Sequence, residues 1–239
     1  MANFMYILMP LHEHYDSGFG ATGNAFKAAA DQLWDGIEKK ALFNERLPMN
    51  FLYRHAIELF LKSAIVVIHL RLRLAYGPHS HDGLPHVLIG AEWKPIDRVH
   101  DIEALWRYVR QLFSDQKEFF DSVHSVDWSI EPHVDPLLQE VASKDPRSTF
   151  FRYPDLRHPG VDASKASMTG AVPEEFFEQY AQAGTDGIAL AVQNRNGELI
   201  RGFYYSGDAL KDLSEKLRAC SQWLYCLHAS LRSELCGGR

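Results

Sequence analysis

The segment from Phe51 to Lys62, FLYRHAIELFLK, is apolar enough for a protein interior, yet it contains four ionisable side chains. Pro48 suits the first turn of a helix, and the apolar run continues to about Leu74 before a Gly-Pro pair ends it. A helix that is apolar around most of its circumference must be covered by other elements. This segment therefore predicts a mainly helical protein built around one central helix.

The remaining periodicity is consistent with a helical fold. Apolar spacing predicts a helix over Asn24–Phe43, with Asn24 as its N-cap, and a third helix from about Val99. Alternating β-rich runs flank an Asn-Gly turn and predict a β-hairpin at 186–205. The other predicted elements are a weak helix at 134–143, a short helix at 172–183, a long C-terminal helix at 207–235, and loops at 77–97 and 143–170.

Composition limits the class and the location of the protein. With 239 residues, 46% of them hydrophobic, residues 1–239 can bury one core, so we predict a single domain. A net charge of −6 argues against a basic surface over the whole protein for nucleic acid. Three cysteines, odd in number, indicate free thiols in a reducing compartment, and no apolar run is long enough to span a membrane. We predict a soluble, cytoplasmic protein.

Polar side chains line one side of the predicted central helix. Six of them share a sector of about 100°: Arg54, His55, Glu58, Lys62, His69 and Arg73. The (i, i+4) spacing of Arg54, Glu58 and Lys62 allows the glutamate to neutralise both cations. Such a stripe is either the solvated face of an amphipathic helix or, where other elements cover it, a paired network of the kind that often forms a functional site.

Three short blocks carry a resemblance to a known family. They are YRHAIELFLKSAI from Tyr53, HDIEALW from His100 and STFFRYPDLRHPG from Ser148. Through these blocks, residues 20–160 resemble the HEPN-like helical-bundle proteins of prokaryotic defence and toxin–antitoxin systems. The resemblance implies a mainly α, up-and-down bundle that is commonly dimeric. The small β-hairpin that we predict before the long C-terminal helix lies outside the resembling region. In many members the bundle is a metal-independent endoribonuclease acting on tRNA or mRNA.

The resemblance also implies which residues act. A histidine would serve as general acid or base, and an arginine would stabilise charge on the phosphate. The predicted catalytic residues are His55, Arg54, Glu58, His100 and Arg152. The predicted substrate-binding residues are Lys62, Arg73, Tyr153 and His158, with no metal and no cofactor. Arg152 has an alternative role in a structural ion pair with Glu58 or Asp101.

The chain departs from the pattern of the active members, which carry a closely spaced Arg and His at the start of a late helix. On the long C-terminal helix, Arg218 and His228 are too far apart. The pairs of suitable spacing are interrupted by proline: Arg73 with His79, and Arg152 with His158. The departure favours a second hypothesis, a non-catalytic HEPN-like module that binds a partner protein or a nucleotide. Either version predicts a homodimer or a hetero-complex with a defence-system protein, and no membrane association.

Two other patterns suggest ligands less specifically. The histidine-rich stretches at 12–14 and 79–86 contain metal-ligating side chains, but their spacing matches no known site, and polar loops are the favoured interpretation. The glycine spacing in DSGFGATGNAF, from Asp16, suggests either a phosphate-binding turn or, as we favour, a flexible loop before a helix.

Overall fold

The structure is a computed structural model that describes residues 6, 8–38, 46–75, 77, 85–146, 148–153, 160–161, 164–183, 189–205 and 209–238. The α-helices in these residues are α1 (Phe19–Glu38), α2 (Arg46–Leu72), α3 (Ile102–Asp115), α4 (Lys117–Ser122), α5 (Val134–Lys144), α6 (Pro173–Ala183) and α7 (Lys211–Cys236). Two 3-10 helices lie at Leu11–Glu13 and Ile96–Arg98. The strands are β1 (His86–Ile89), β2 (Glu92–Pro95), β3 (Met168–Ala171), β4 (Ala189–Gln193) and β5 (Leu199–Tyr205). The protein is mainly α, as predicted.

Helix α2 is the centre of the fold. Every residue from Ala56 to His69 is buried, because α1, α3 and α7 all pack around this helix. The helix ends at Leu72, since Arg73 takes a left-handed conformation with φ 55°. The N–H of Leu74 then bonds back to the carbonyl of His69 at 2.9 Å. The prediction of a central, covered helix is confirmed, with ends within two residues of those predicted.

Helix α1 begins at Phe19, before the predicted N-cap Asn24. The carboxylate of Asp16 accepts hydrogen bonds from the N–H of Gly18 at 3.0 Å and of Gly20 at 2.6 Å. These bonds satisfy N–H groups that a helix start leaves unpaired, so Asp16 begins the helix early despite the glycines. Since the Asp16 carboxylate occupies this helix start, the phosphate-binding interpretation of the turn is wrong. The favoured interpretation, a flexible loop, is wrong as well, because Gly20 and Gly23 lie inside α1. The predicted end at Phe43 lies outside the described residues.

The predicted loop at 77–97 contains the antiparallel hairpin β1–β2. The segment was predicted as a loop because it is rich in glycine and proline, and its alternation of buried and exposed residues is too short to indicate strands. Val87, for example, is buried while Leu88 is 40% exposed. Helix α3 then begins at Ile102, later than the predicted Val99, where the Asp101 carboxylate accepts the N–H of Ala104 at 3.1 Å. Helix α4 follows α3 after one residue and was not predicted.

A second, three-stranded antiparallel sheet has the order β3-β5-β4. Its β4–β5 hairpin turns at Gly197, with φ 83°, and confirms the predicted hairpin over 189–205; residues 186–188 of that prediction lie outside the described ones. Strand β3, MTGA, lies in the predicted loop at 143–170 and is too short to show an alternating pattern. Helix α6 packs on β5, where a Cβ at Gly202 would stand 1.9 Å from the Phe176 ring.

The long C-terminal helix is confirmed as α7, and Gly237 closes it in a left-handed conformation with φ 60°. The three cysteines are free thiols, as predicted: Cys220 and Cys236 are buried, and Cys226 is exposed. Among the described helices, none is both long and apolar enough to cross a membrane.

Candidate functional site

Four of the predicted site residues meet in one buried network. Arg54, Glu58 and Lys62 are 0%, 1% and 3% exposed, so the stripe on α2 is not a solvated face. His100, before α3, joins them from the neighbouring chain segment, and so does Asp145, after α5. We call Arg54, Glu58, Lys62, His100 and Asp145 the Glu58 network.

Glu58 is the centre of this network, and three side chains donate to its carboxylate. Arg54 Nη1 lies 2.6 Å from Oε2, while Lys62 Nζ and His100 Nδ1 each lie 2.9 Å from Oε1. Burial alone would raise the pKa of Glu58, but Lys62, Arg54 and His100 outweigh it and lower that pKa to about 2. Glu58 is therefore ionised at neutral pH although almost no water reaches it.

Arg54 connects α2 to two other parts of the chain. Its Nη2 donates to the backbone carbonyl of His100 at 2.6 Å, which fixes the start of α3. Its Nε lies 3.1 Å from Asp145 Oδ2, but the N–H does not point at the oxygen, so this contact is an ion pair without a hydrogen bond. The other oxygen of Asp145 accepts the N–H groups of Thr149 at 2.6 Å and Phe150 at 3.0 Å. The Arg54–Asp145 pair therefore ties the third resemblance block to the central helix.

His100 is the member of the network that reaches the surface, with a side chain that is 55% exposed. Because the ionised Glu58 carboxylate only accepts hydrogen bonds, His100 Nδ1 must carry the hydrogen that they share. Neutral His100 consequently has its lone pair on Nε2, and the described residues supply no hydrogen bond to that atom. A buried carboxylate that orients an exposed imidazole is an arrangement suited to a general base.

Two other predicted residues, His55 and Arg73, do not join the network. His55 is half-buried between the rings of Phe26 and Phe51, with centroids at 4.5 Å and 5.8 Å, and burial lowers the pKa of His55. Arg73 lies exposed in the turn after α2. His158 lies outside the described residues.

Arg152 and Tyr153 form an exposed aromatic and cationic surface beside the network. The Arg152 guanidinium lies 5.8 Å from the centroid of Phe51 and 5.7 Å from that of Tyr153, which is 61% exposed. Its Nε donates to the backbone carbonyl of Ser148. Two aromatic rings and a backbone carbonyl thus position the guanidinium, and none of these contacts is an ion pair.

The alternative of a structural ion pair for Arg152 is wrong within the described residues. Glu58 is taken by Arg54, Lys62 and His100, and the Asp101 carboxylate caps α3. Within the part of the chain that the structure describes, no acidic side chain pairs with Arg152.

Sequence reasoning missed Asp145, although a signal for it was present. The buried stripe contains two cations and one carboxylate, so burial of the stripe requires a second acid from elsewhere. An aspartate before proline, followed by Ser148 and Thr149, is typical of a side chain that caps a turn. Together these signals make Asp145 a candidate for that second acid, although neither shows that it contacts the stripe.

A second buried polar cluster lies on the other side of α2 and was also missed. Its members are Tyr6, Asp16, Ser63 and His228, and each is at most 6% exposed. Ser63 Oγ donates to Asp16 Oδ2 at 2.6 Å and lies 2.9 Å from His228 Nδ1. Tyr6 Oη lies 3.0 Å from His228 Nε2. We call these four residues the His228 cluster.

The hydrogens in the His228 cluster have one consistent order. Because the Ser63 hydroxyl donates to Asp16, the imidazole must donate from Nδ1 to Ser63, and the Tyr6 hydroxyl donates to Nε2. This order needs a neutral His228. Burial lowers the pKa of His228 to about 4, with Arg232 and His14 lowering it further and Asp16 opposing them. The cluster is a sealed structural network, since its serine and histidine have no access to solvent.

Neither a metal-binding arrangement nor a similar protein identifies the function of these two networks. In the described part of the molecule, no group of three or more His, Cys, Asp or Glu side chains is arranged to hold a metal ion. Comparison with protein-family models, with curated proteins and with solved structures gives no match. The chemistry of the Glu58 network is therefore the basis for a functional assignment.

Proposed function

We propose that this protein is a HEPN-like, metal-independent endoribonuclease of a prokaryotic defence or toxin–antitoxin system, with His100 as its general base. One observation carries the proposal: the buried carboxylate of Glu58 holds Nδ1 of an exposed histidine at 2.9 Å. This contact leaves Nε2 as the nitrogen of an exposed imidazole that can accept a proton. Arg54 supports the same residue through its backbone carbonyl.

The proposed reaction is a transesterification of RNA. His100 Nε2 takes the proton of a ribose 2′-hydroxyl, whose oxygen attacks the adjacent phosphorus. The bond from phosphorus to the 5′-oxygen breaks, and that oxygen takes a proton from water. The hydroxide left behind takes back the proton held by His100, which returns to its neutral form. The products are a 2′,3′-cyclic phosphate and a 5′-hydroxyl. The proposed reaction therefore uses no metal ion and no cofactor.

Arg152 is the proposed phosphate-binding residue. Arg152 lies against Phe51 and His100 against Glu58, and these two α2 residues are seven positions apart on one face. At about 1.5 Å per residue, the two contact points are about 10 Å apart along the helix. A guanidinium held on an aromatic ring at that distance can bind a phosphate next to the one that reacts.

A second candidate function is a non-catalytic module that binds a partner protein or a nucleotide. The observation that favours it is the burial of His228, which is 4% exposed on α7. The Arg218 and His228 pair of the late helix is therefore not a surface pair able to act on a phosphate. Under this candidate, His100 and Arg152 bind an anionic ligand without cutting it.

RNA cleavage tests the proposal. Purified protein is incubated with total RNA in EDTA, and the new ends are mapped together with their chemistry. We expect cyclic phosphate ends from the wild type, none from His100→Asn, and reduced cleavage from Arg152→Gln. His133→Asn is the matched control, because His133 is also an exposed histidine but lies outside the network. Cleavage by His100→Asn equal to that of the wild type would reject the proposed base.

The same variants separate the two candidates. A binding module leaves RNA intact in every sample but retains a labelled RNA or nucleotide in an equilibrium binding assay. Binding that is lost in Arg152→Gln and weakened in His100→Asn, with no cleavage by the wild type, would favour the second candidate over the first.

A further inference from the structure

A groove of about 510 Å³ lies between α7 and the loop over 123–133, away from the Glu58 network. A neighbouring depression of about 600 Å³ shares Phe113 and Trp128 with it. The volume is within the range of small-molecule sites, about 300–1,000 Å³.

Two indole rings form the apolar part of the groove, and both are positioned by the protein. The indole N–H of Trp128 donates to the Val123 carbonyl at 3.3 Å, and its ring lies 5.1 Å from Phe120. The ring of Trp223 meets Trp106 edge-on at 5.7 Å. Both tryptophans remain partly exposed towards the groove that they line. Rings fixed in this way need little reorganisation to accept a ligand.

The charged side chains of the groove are acidic. Asp127 and Glu131 line it, and the described lining includes neither lysine nor arginine. The backbone N–H of Ser129 bonds to Asp127 and lowers the pKa of that carboxyl, so Asp127 is ionised at neutral pH. His133 also lines the groove, with Nδ1 3.4 Å from Glu131 Oε2. At neutral pH the groove therefore combines indole faces with negative charge.

We propose that this groove binds small organic cations that combine a quaternary or tertiary ammonium group with an aromatic body. The ammonium group would lie against the indole of Trp128 or Trp223, where the ring quadrupole attracts it. Asp127 and Glu131 add electrostatic attraction and discriminate against anions of the same shape. The site is independent of the proposed ribonuclease activity.

Cys226 provides a built-in reporter of the groove. Its thiol is exposed and lines the groove, whereas Cys220 and Cys236 are 1% and 4% exposed. A reagent that alkylates thiols in the native protein should therefore modify Cys226 first. A ligand seated in the groove slows that reaction, while the two buried cysteines serve as internal controls.

The test is the rate of Cys226 alkylation by iodoacetamide, measured by mass spectrometry of the intact protein. Benzyltrimethylammonium is the probe, and benzyl alcohol and benzoate are neutral and anionic compounds with the same ring. We expect concentration-dependent protection by the cation, weaker protection by the alcohol and none by benzoate. Equal protection by all three, or no protection by the cation, would overturn the proposal.

Variants that remove single negative charges then test whether Asp127 and Glu131 attract the cation. Asp127→Asn and Glu131→Gln should each weaken protection by the cation about fivefold. Glu178→Gln, an exposed acid on α6 outside the groove, is the matched control and should not change it. Each variant is compared with and without the probe, because a lost charge also alters the reactivity of the thiol. Protection that is insensitive to both groove variants would show that charge does not select the ligand.

Discussion

Two buried polar networks flank the same helix, and they keep polar groups inside the protein by different means. The Glu58 network is charged, with Arg54, Lys62 and two carboxylates paired in its interior. The His228 cluster is a chain of directed hydrogen bonds from Tyr6 to His228, Ser63 and Asp16. At about 100° per residue, Ser63 lies on the side of α2 opposite Arg54, so one helix supports both.

The two networks differ most in their access to solvent. The Glu58 network opens through His100, whose side chain is 55% exposed, whereas His228 is 4% exposed. A charged interior is costly to build unless every charge is paired. We infer that the charges around Glu58 are retained to hold an exposed histidine, while the His228 cluster only joins α1, α2 and α7. The following changes test that difference, from the largest expected effect on stability to the smallest.

Glu58→Gln should have the largest effect. It leaves Arg54 and Lys62 buried without their shared carboxylate, and breaking a buried ion pair in this way costs about 3–5 kcal/mol. The loss is measured as the change in the free energy of unfolding in urea.

The matched control is Glu103→Gln. Glu103 also pairs with an arginine four residues later, Arg107, at 3.0 Å, but both side chains are exposed. We expect a change of less than about 0.5 kcal/mol. Equal losses at Glu58 and Glu103 would show that burial does not distinguish the two pairs.

The pH dependence of stability should separate the networks. His228 has a pKa of about 4 in the native protein and 6.5 as its ordinary value, so between these values the unfolded chain binds a proton that the native protein does not. Stability therefore falls as the pH drops from about 6.5 to about 4, by roughly 3 kcal/mol from this group. His55 and His69, whose pKa values burial also lowers, add to the loss in the same direction.

Glu58 acts at lower pH. Its native pKa of about 2 lies below its ordinary 4.5, so its contribution is complete above about 4.5 and is lost as the pH falls towards about 2. Urea unfolding at a series of pH values measures both windows. His228→Gln should reduce the dependence in the upper window and leave the lower one. Ser63→Ala keeps the buried imidazole, so it should lower stability at every pH while preserving the pH dependence in both windows. If Ser63→Ala instead removed the pH dependence between about 6.5 and 4, the assignment of that window to His228 would be contradicted.

Gly20→Ala tests how tightly the His228 cluster is closed. A Cβ at Gly20 would stand 2.1 Å from His228 Cε1 and 2.6 Å from Asp16 Oδ2. We expect a loss of about 1–3 kcal/mol, because the ring has no room to move. Gly36→Ala on the same helix is the control: nothing lies within 4 Å of its Cβ position, and alanine should stabilise the helix by about 0.5–1 kcal/mol. The two changes in free energy of unfolding should differ in sign.

The Glu58 network was largely predictable because its members repeat at helical spacing within one segment. Arg54, Glu58 and Lys62 are four residues apart on an apolar helix, so their pairing follows from local sequence, whereas the sequence left open whether the stripe is solvated or covered. His100 was predicted as a site residue only through the resemblance to the HEPN-like family. The sequence itself does not show how α3 packs against α2, so it does not place His100 beside Glu58. Asp145 required a contact between segments 91 residues apart, for which local periodicity carries no information.

The His228 cluster was not predictable in this way, because its members come from four separate segments. Ser63 and His228, which are 165 residues apart, each stand alone in an apolar run. On α7, His228 occupies the face of Leu224 and Leu231 and resembles an ordinary core position. The same limit explains the β1–β2 hairpin, whose four-residue strands are too short for their alternation to outweigh the surrounding glycines and prolines.

His100→Asn should have the smallest effect on stability and the largest effect on the proposed activity. Asparagine can place an N–H donor near the position of Nδ1, so the bond to Glu58 is retained and the free energy of unfolding should change by less than about 1 kcal/mol. It has no atom in place of Nε2, so RNA cleavage should be lost.

A histidine-to-asparagine substitution in the His228 cluster should have the opposite effects, a large one on stability and none on RNA cleavage. His228→Asn keeps a donor to Ser63 but removes the acceptor of the Tyr6 hydroxyl and leaves a cavity, which should cost about 2 kcal/mol or more. His228 is buried, so among molecules that remain folded the cleavage rate should be unchanged. If His100→Asn destabilises the protein as much as His228→Asn does, His100 is a structural residue like His228, and the distinction between an open and a sealed network fails.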